Sequence, residues 1–165
     1  MTMTAHPFDQ AIQLHTLDEG NYSGQITPDY GNMVGPFGGV IAATMLNAVL
    51  QHPQKAGEPV ALTINFAGPI SAEPFQVSAR PTRSNRSTQH WYIELTQLGE
   101  IAVTATAMLA VRRDSWSSQE LGFPQVPPAE SVAPSIIPVP IAWVKRYEFR
   151  FMEGLLSMNS ADRSD

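Results

Sequence analysis

The chain has 165 residues, 43% of them hydrophobic and 15% charged. That is enough apolar side chain to bury one domain of ordinary size and far too much for a disordered chain. Fifteen Asp and Glu against ten Lys and Arg leave a formal net charge of -5, which argues against a broad electropositive footprint for nucleic acid. Cysteine is absent, which removes disulfides, thiolate metal sites, iron-sulfur clusters and Cys nucleophiles together and suits a cytoplasmic, reducing setting.

Met1 to Pro7 has neither the basic nor the apolar part of a secretory signal. The longest apolar run, Gly39 to Leu50, is interrupted by Thr44 and Asn47 and falls short of the roughly 20 residues a bilayer requires, so no membrane span is expected. Phe8 to Tyr30 reads as two short strands around Asp18-Glu19-Gly20, with a break at Pro28-Asp29. Gly35-Pro36-Phe37-Gly38-Gly39 then reads as a flexible lead-in to a helix running from Val40 to His52 and stopping before Pro53. Positions 40 to 50 are apolar nearly all round, which predicts a helix buried on most sides.

Four strands follow. Val60, Leu62, Ile64 and Phe66 alternate with Ala61, Thr63 and Asn65, and Phe75, Val77 and Ala79 alternate with Gln76, Ser78 and Arg80. After a polar turn at Arg83-Ser84-Asn85-Arg86-Ser87, Trp91, Ile93 and Leu95 alternate with polar neighbours, and Leu98-Gly99-Glu100 closes a hairpin onto Ile101 to Val111. A helix followed by four strands with short connections predicts an antiparallel α+β fold, its sheet curled around the helix. Six of the fourteen prolines lie between Pro124 and Pro140, so residues 119–140 read as a linker between a first domain, 1–118, and a last segment, 141–165. In that segment Tyr147, Phe149 and Phe151 alternate with Arg146, Glu148, Arg150 and Met152, predicting one more strand. Such a strand needs a partner: the first sheet, another chain or a second unit.

Several stretches together carry a family resemblance: Phe37-Gly38-Gly39, Phe66-Ala67-Gly68-Pro69-Ile70, Arg83-Ser84-Asn85-Arg86-Ser87, Gln97-Leu98-Gly99-Glu100 and Ala105 to Arg113. In order and spacing, over residues from about 20 to 116, the chain resembles the N-terminal half of the tandem hot dog thioesterases, the acyl-CoA thioesterase II-like family. The resemblance implies a hot dog fold in which an antiparallel sheet wraps a central helix. It also implies that 141–165 begins an incomplete second hot dog unit and that paired units form the active site between them. It further implies an acyl-CoA or other acyl thioester as substrate, and a catalytic Asp, Thr and Gln supplied by a second half beyond Asp165.

Thioester hydrolysis needs an activated water or nucleophile and donors aimed at the carbonyl oxygen. The start of the helix offers free backbone N–H groups, so Gly38 and Gly39 are candidates for an oxyanion hole; equally, two glycines permit a tight turn and close helix packing. Met33, Val34 and Phe37 would border an acyl groove. Arg83 and Arg86, with Arg80, suit the phosphates of coenzyme A, although such clusters are commonly solvated strand ends. Ser87 and His90 complete the substrate-binding candidates, His90 having an alternative structural role because no orienting carboxylate is near it in sequence.

No Asp or Glu occurs between Asp29 and Glu58, so the helix itself carries no base and the chain alone is expected to be at most weakly active. A hot dog hydratase would want Asp and His near the helix, and neither occurs from Gly31 to Gln51. A non-catalytic acyl-binding or subunit-pairing module is the other reading. His6, His15, His52 and His90 have no metal-ligand spacing and no nucleotide-binding glycine motif is present, so neither metal nor cofactor is expected. A homodimer or a hot dog pairing partner is expected, because a lone unit leaves a sheet edge and an aromatic face open.

Overall fold

The computed structural model describes residues 5–154. A one-turn helix, α1 (Pro7–Ala11), precedes a hairpin of β1 (His15–Asp18) and β2 (Asn21–Gly24). The hairpin turns at Gly20, whose φ of +82° favours glycine. A short 3-10 turn at Pro28–Tyr30 leads to α2 (Gly38–Gln51). Then come β3 (Glu58–Phe66), β4 (Phe75–Ser84), β5 (Thr88–Gln97) and β6 (Glu100–Ala110). All six strands form one antiparallel sheet in the order β1-β2-β4-β5-β6-β3. The α+β arrangement of one long helix against one antiparallel sheet is therefore present. No helix among the described residues is long and apolar enough to cross a membrane.

Alternation decides which side chains meet the helix. On β5, Trp91, Ile93 and Leu95 are buried on the inner face together with Gln89 and Gln97, while His90, Tyr92, Glu94 and Thr96 point outward. Val77 and Ala79 on β4, and Val103, Ala105, Ala107 and Leu109 on β6, continue that inner face. α2 lays Val40, Ile41, Thr44, Met45, Ala48 and Val49 against it. Each large apolar side chain so buried contributes roughly 1.5–3 kcal/mol. Thr44 satisfies its buried hydroxyl by donating to the Val40 carbonyl at 2.8 Å.

The sheet curls around the inner side of the helix, which is less enclosed than its composition suggested. Ala42, Ala43 and Leu46 are only half-buried and Leu50 is 41% exposed. The reason is geometric: a single sheet has one inner face, and it covers one side of a cylinder. Apolar composition around a helix shows that water is avoided there, not which surface removes it. The same logic applies to β3, an edge strand on which Leu62 and Ile64 reach the core while Val60 and Phe66 stay exposed.

Two buried glutamines tie loops to the ends of β5. Gln89 Oε1 accepts from the Ala56 N–H and the Trp91 indole, at 3.0 and 2.9 Å, and its amide donates to the Gln54 carbonyl and Ser84 Oγ. Gln97 Oε1 accepts from the Ser71 N–H and hydroxyl, at 2.8 and 3.0 Å, and its amide donates to the carbonyls of Ser71 and Glu73.

After β6 the chain is irregular and exposed through Pro128, and Ala129–Ser131 makes a short 3-10 turn. The strand expected over Tyr147 to Phe151 does not form. Residues Trp143–Arg146 make a 3-10 turn, and Phe149 makes a single antiparallel bridge to Ser135. An aromatic at every second position suits a strand, but it equally suits rings packing against one another. Here the second occurs: Trp143, Tyr147, Phe149 and Phe151 pack in succession with ring centroids 5.8 to 6.4 Å apart. The part of the 141–165 segment from residue 155 onward lies outside the described residues.

Candidate functional site

The residues before α2 form a small self-supported loop. Tyr30 is buried with its ring edge-on to Phe8, and its carbonyl accepts the Phe37 N–H at 2.7 Å. Gly31 and Pro36 bridge, and the Asn32 N–H donates to the Gly35 carbonyl at 2.8 Å. Gly35 has a φ of +70°, and a Cβ there would sit 2.5 Å from the Ile70 carbonyl oxygen, so glycine is required on both counts. Met33 and Val34 occupy the loop's tip, 82% and 84% exposed.

α2 begins without a side-chain cap, Phe37 being the N-cap residue. The N–H groups of Gly38 and Gly39 find no acceptor among the described residues, and the helix dipole places its positive end there. Aromatic rings flank them. A Cβ on Gly38 would lie 3.2 Å from the Phe66 ring, and one on Gly39 would lie 2.5 Å from the Phe37 ring. The glycines thus let two rings close on the backbone around a pair of free donors.

A second layer comes from a segment that sequence reasoning assigned to another unit. Trp143 stacks on Phe37, centroids 4.4 Å apart and planes 14° apart. Its backbone N–H donates to the Gly31 carbonyl and its indole N–H to Asn32 Oδ1, both at 3.3 Å. Arg146 forms an ion pair with Asp29, and Tyr147 meets Phe37 edge-on. Burial raises the phenol pKa of Tyr30, with the nearby Tyr147, Asp29 and Asp9 acting in the same direction and Arg146 against it. Asp29, the one carboxylate close before the helix, is therefore occupied. Asn32, Trp143 and Arg146 were not legible as site neighbours, since more than a hundred residues separate the partners in sequence.

The other predicted residues stand elsewhere. Arg83, Arg86 and Ser87 lie at the β4–β5 turn, which adjoins the end of β6 through the Val111 N–H to Ser87 carbonyl bond at 3.0 Å. Glu58, at the start of β3, pairs with Ala110 at that same end, whereas Phe66, beside Gly38, lies at the other end of β3. The C-terminus of α2 also lies at the turn end, where His52 packs on Trp91. The 14 residues of α2 span about 21 Å, so the arginine turn and the free N–H pair are about a helix length apart. His90 is on the outer face of β5, with the sheet between it and α2. Met33, Val34, Phe37, Gly38 and Gly39 are thus brought together, while Arg83, Arg86, Ser87 and His90 form a separate group.

Residues 27–110 match the sequence model of the acyl-CoA thioesterase N-terminal domain. None of the curated proteins matches. Among solved structures, a conserved protein of unknown function with a hot dog fold from Alicyclobacillus acidocaldarius has a TM-score of 0.87 and 45% identity, over 92% of this chain and 57% of that one. A candidate thioesterase II from Thermobifida fusca has a TM-score of 0.73 at 20% identity, over 90% of this chain and 54% of that one. An acyl-CoA thioesterase II from Mycobacterium marinum has a TM-score of 0.65 at 20% identity, over 76% of this chain and 47% of that one. The chain therefore spans about half the length of these structures, and the fold they share with it is the hot dog.

Proposed function

The chain belongs to the acyl-CoA thioesterase family, whose N-terminal domain it carries, and from that premise we propose that it holds an acyl-CoA or related acyl thioester at the start of α2. The observation that carries this reading is the pair of unengaged N–H groups on Gly38 and Gly39, with the Phe66 ring beside one glycine and the Phe37 ring beside the other. Donors fixed in a partly apolar notch stabilise the negative charge that develops on a thioester oxygen during attack, a contribution on the order of 3 kcal/mol per donor. Phe37 lines the path of the acyl chain, and Met33 and Val34 extend it from the exposed loop tip.

The notch lacks a base. α2 has no carboxylate and Asp29 is paired with Arg146, so the group that activates water comes from a second hot dog unit facing this one. That unit is the natural partner for the open flank of α2 and the edge of β3, whether it belongs to the same polypeptide or to a second copy in a homodimer. A cytoplasmic setting belongs to the same reading.

The test is acyl-CoA binding and hydrolysis by the chain alone and with Gly38→Pro. Proline is tolerated at the first position of a helix and removes only an N–H that the helix does not use. Binding by the chain, with hydrolysis close to background and binding weakened in Gly38→Pro, supports the reading. Ordinary turnover by the isolated chain, or unchanged binding in Gly38→Pro, overturns it. The carboxylate-free helix also favours a second reading, a non-catalytic acyl-binding or subunit-pairing module. An assembly of this chain with a second hot dog unit that binds acyl-CoA without hydrolysing it would select that alternative.

A further inference from the structure

The outer face of the sheet carries a feature that the acyl notch does not use. A hollow of about 340 Å³ lies there, lined by Thr63 of β3, Arg80 and Thr82 of β4, His90 and Tyr92 of β5 and Thr106 of β6. Register builds it: Arg80 pairs with Tyr92, Tyr92 with Thr106 and Thr106 with Thr63, so one row crosses four strands. Small side chains at Thr63 and Thr106 make the floor. A shift in register between Pro81 and Arg83 brings the Thr82 hydroxyl onto the His90 carbonyl at 3.2 Å and forms the rim.

The hollow holds an uncommitted cation. The Arg80 guanidinium lies 5.2 Å from the centre of the Tyr92 ring and has no carboxylate partner among the described residues. Glu94, one row away, is engaged by the Tyr92 hydroxyl. The neighbourhood is also cationic in an otherwise acidic chain. Arg80, Arg83, Arg86, Arg112 and Arg113 are five of its ten Lys and Arg, and no carboxylate occurs from Pro74 to Ile93 or from Ile101 to Arg113. The Val111–Ser87 bond brings the start of the Arg112-Arg113 pair to the β4–β5 turn. Glu58 is at this end too, but Lys55 pairs with it at 3.1 Å.

We propose that this hollow is an anion site taking a phosphate monoester or diphosphate group, with Arg80 as the charged fork, His90 and the Thr63 and Thr106 hydroxyls as further donors, and the arginine turn as the attracting field. A planar fork already held against a ring is pre-organised for phosphate oxygens. The site is on the opposite face of the sheet from Gly38 and does not depend on the acyl reading.

The experiment is calorimetric titration of the full chain with ADP, inorganic phosphate and adenosine at low and at moderate salt. ADP should bind, inorganic phosphate should compete with it, adenosine alone should not bind, and added salt should weaken the complex. Arg80→Met should weaken ADP by about tenfold or more, the scale of one charge-assisted bond, with partial recovery in Arg80→Lys. Lys145→Met, far from the hollow in the fold, should leave ADP affinity unchanged, and circular dichroism checks that each variant is folded. Equal affinity in Arg80→Met and the parent, binding of adenosine as strong as that of ADP, or no ADP binding at millimolar concentration would overturn the proposal.

Discussion

The Trp143 indole and the Phe37 ring are stacked 4.4 Å apart and nearly parallel, which fastens the far end of the chain to the residue that caps α2. The stack does not stand alone, because the Trp143 backbone and indole also bond Gly31 and Asn32. The loop before the helix is thus held from outside as well as from within.

That coupling is measurable. Phe37→Ala and Trp143→Ala should each destabilise the chain in denaturant titration, and the double variant should fall short of their sum by about 0.5–1.5 kcal/mol, the value of an aromatic pair beyond its area. Strict additivity would mean that the stack carries no energy of its own.

Gly39→Ala tests the packing of Phe37 against the start of α2. Its Cβ would press 2.5 Å from the Phe37 ring, and the ring is not free to swing while stacked on Trp143. Alanine's better helix propensity offsets about 1 kcal/mol of the strain. The melting temperature should therefore fall, and acyl-CoA binding, read by calorimetry, should weaken with it. Unchanged binding would place the acyl group elsewhere.

Gln97→Leu should cost about 1–3 kcal/mol. It strips partners from the Ser71 N–H and from the Ser71 and Glu73 carbonyls, each such bond contributing about 0.5–1.5 kcal/mol net. Thermal unfolding gives the value, and a loss under 1 kcal/mol would show that water replaces the side chain.

Tyrosine ionisation sets a pH limit on stability. Burial raises the pKa of Tyr22 and of Tyr30 above the ordinary 10.0. In the unfolded chain these phenols release protons earlier than in the folded one, so above pH 10 the unfolded state binds fewer protons and stability falls as pH rises. Their contribution is fully present below 10.0 and is lost toward the folded values. Tyr30→Phe should flatten that decline in denaturant titrations on either side of pH 10; an unchanged slope would refute the assignment.

Local pattern carried the features that local chemistry decides. The alternation of Trp91, Ile93 and Leu95 identified the inner face of β5, and Gly35 to Gly39 marked the start of α2 because only a flexible backbone passes there. Distances were not legible. Gly38 and Arg86 both looked like parts of one substrate site, yet the length of α2 separates them. The dyad spacing of Tyr147, Phe149 and Phe151 could not distinguish a ladder of backbone bonds from a ladder of rings, and the docking of Trp143 on Phe37 depends on a closure that no window of neighbouring residues contains. The open flank of α2 escaped for a related reason, since Ala42, Ala43 and Leu46 are as apolar as the residues beneath them.

The place of β3 in the sheet also governs the order of events in folding. β4, β5 and β6 form a meander whose neighbours are close in sequence, whereas β3 must wait for β6 and then pair across a gap of some forty residues, Phe66 with Val103 and Glu58 with Ala110. Long closures are slow to search, so the meander is expected to condense first and the outermost strand to zip on afterward. Truncating Ile93 should retard refolding, while truncating Ile64 should chiefly hasten unfolding, and a stopped-flow chevron that reversed the two would show the strip seating before its bed.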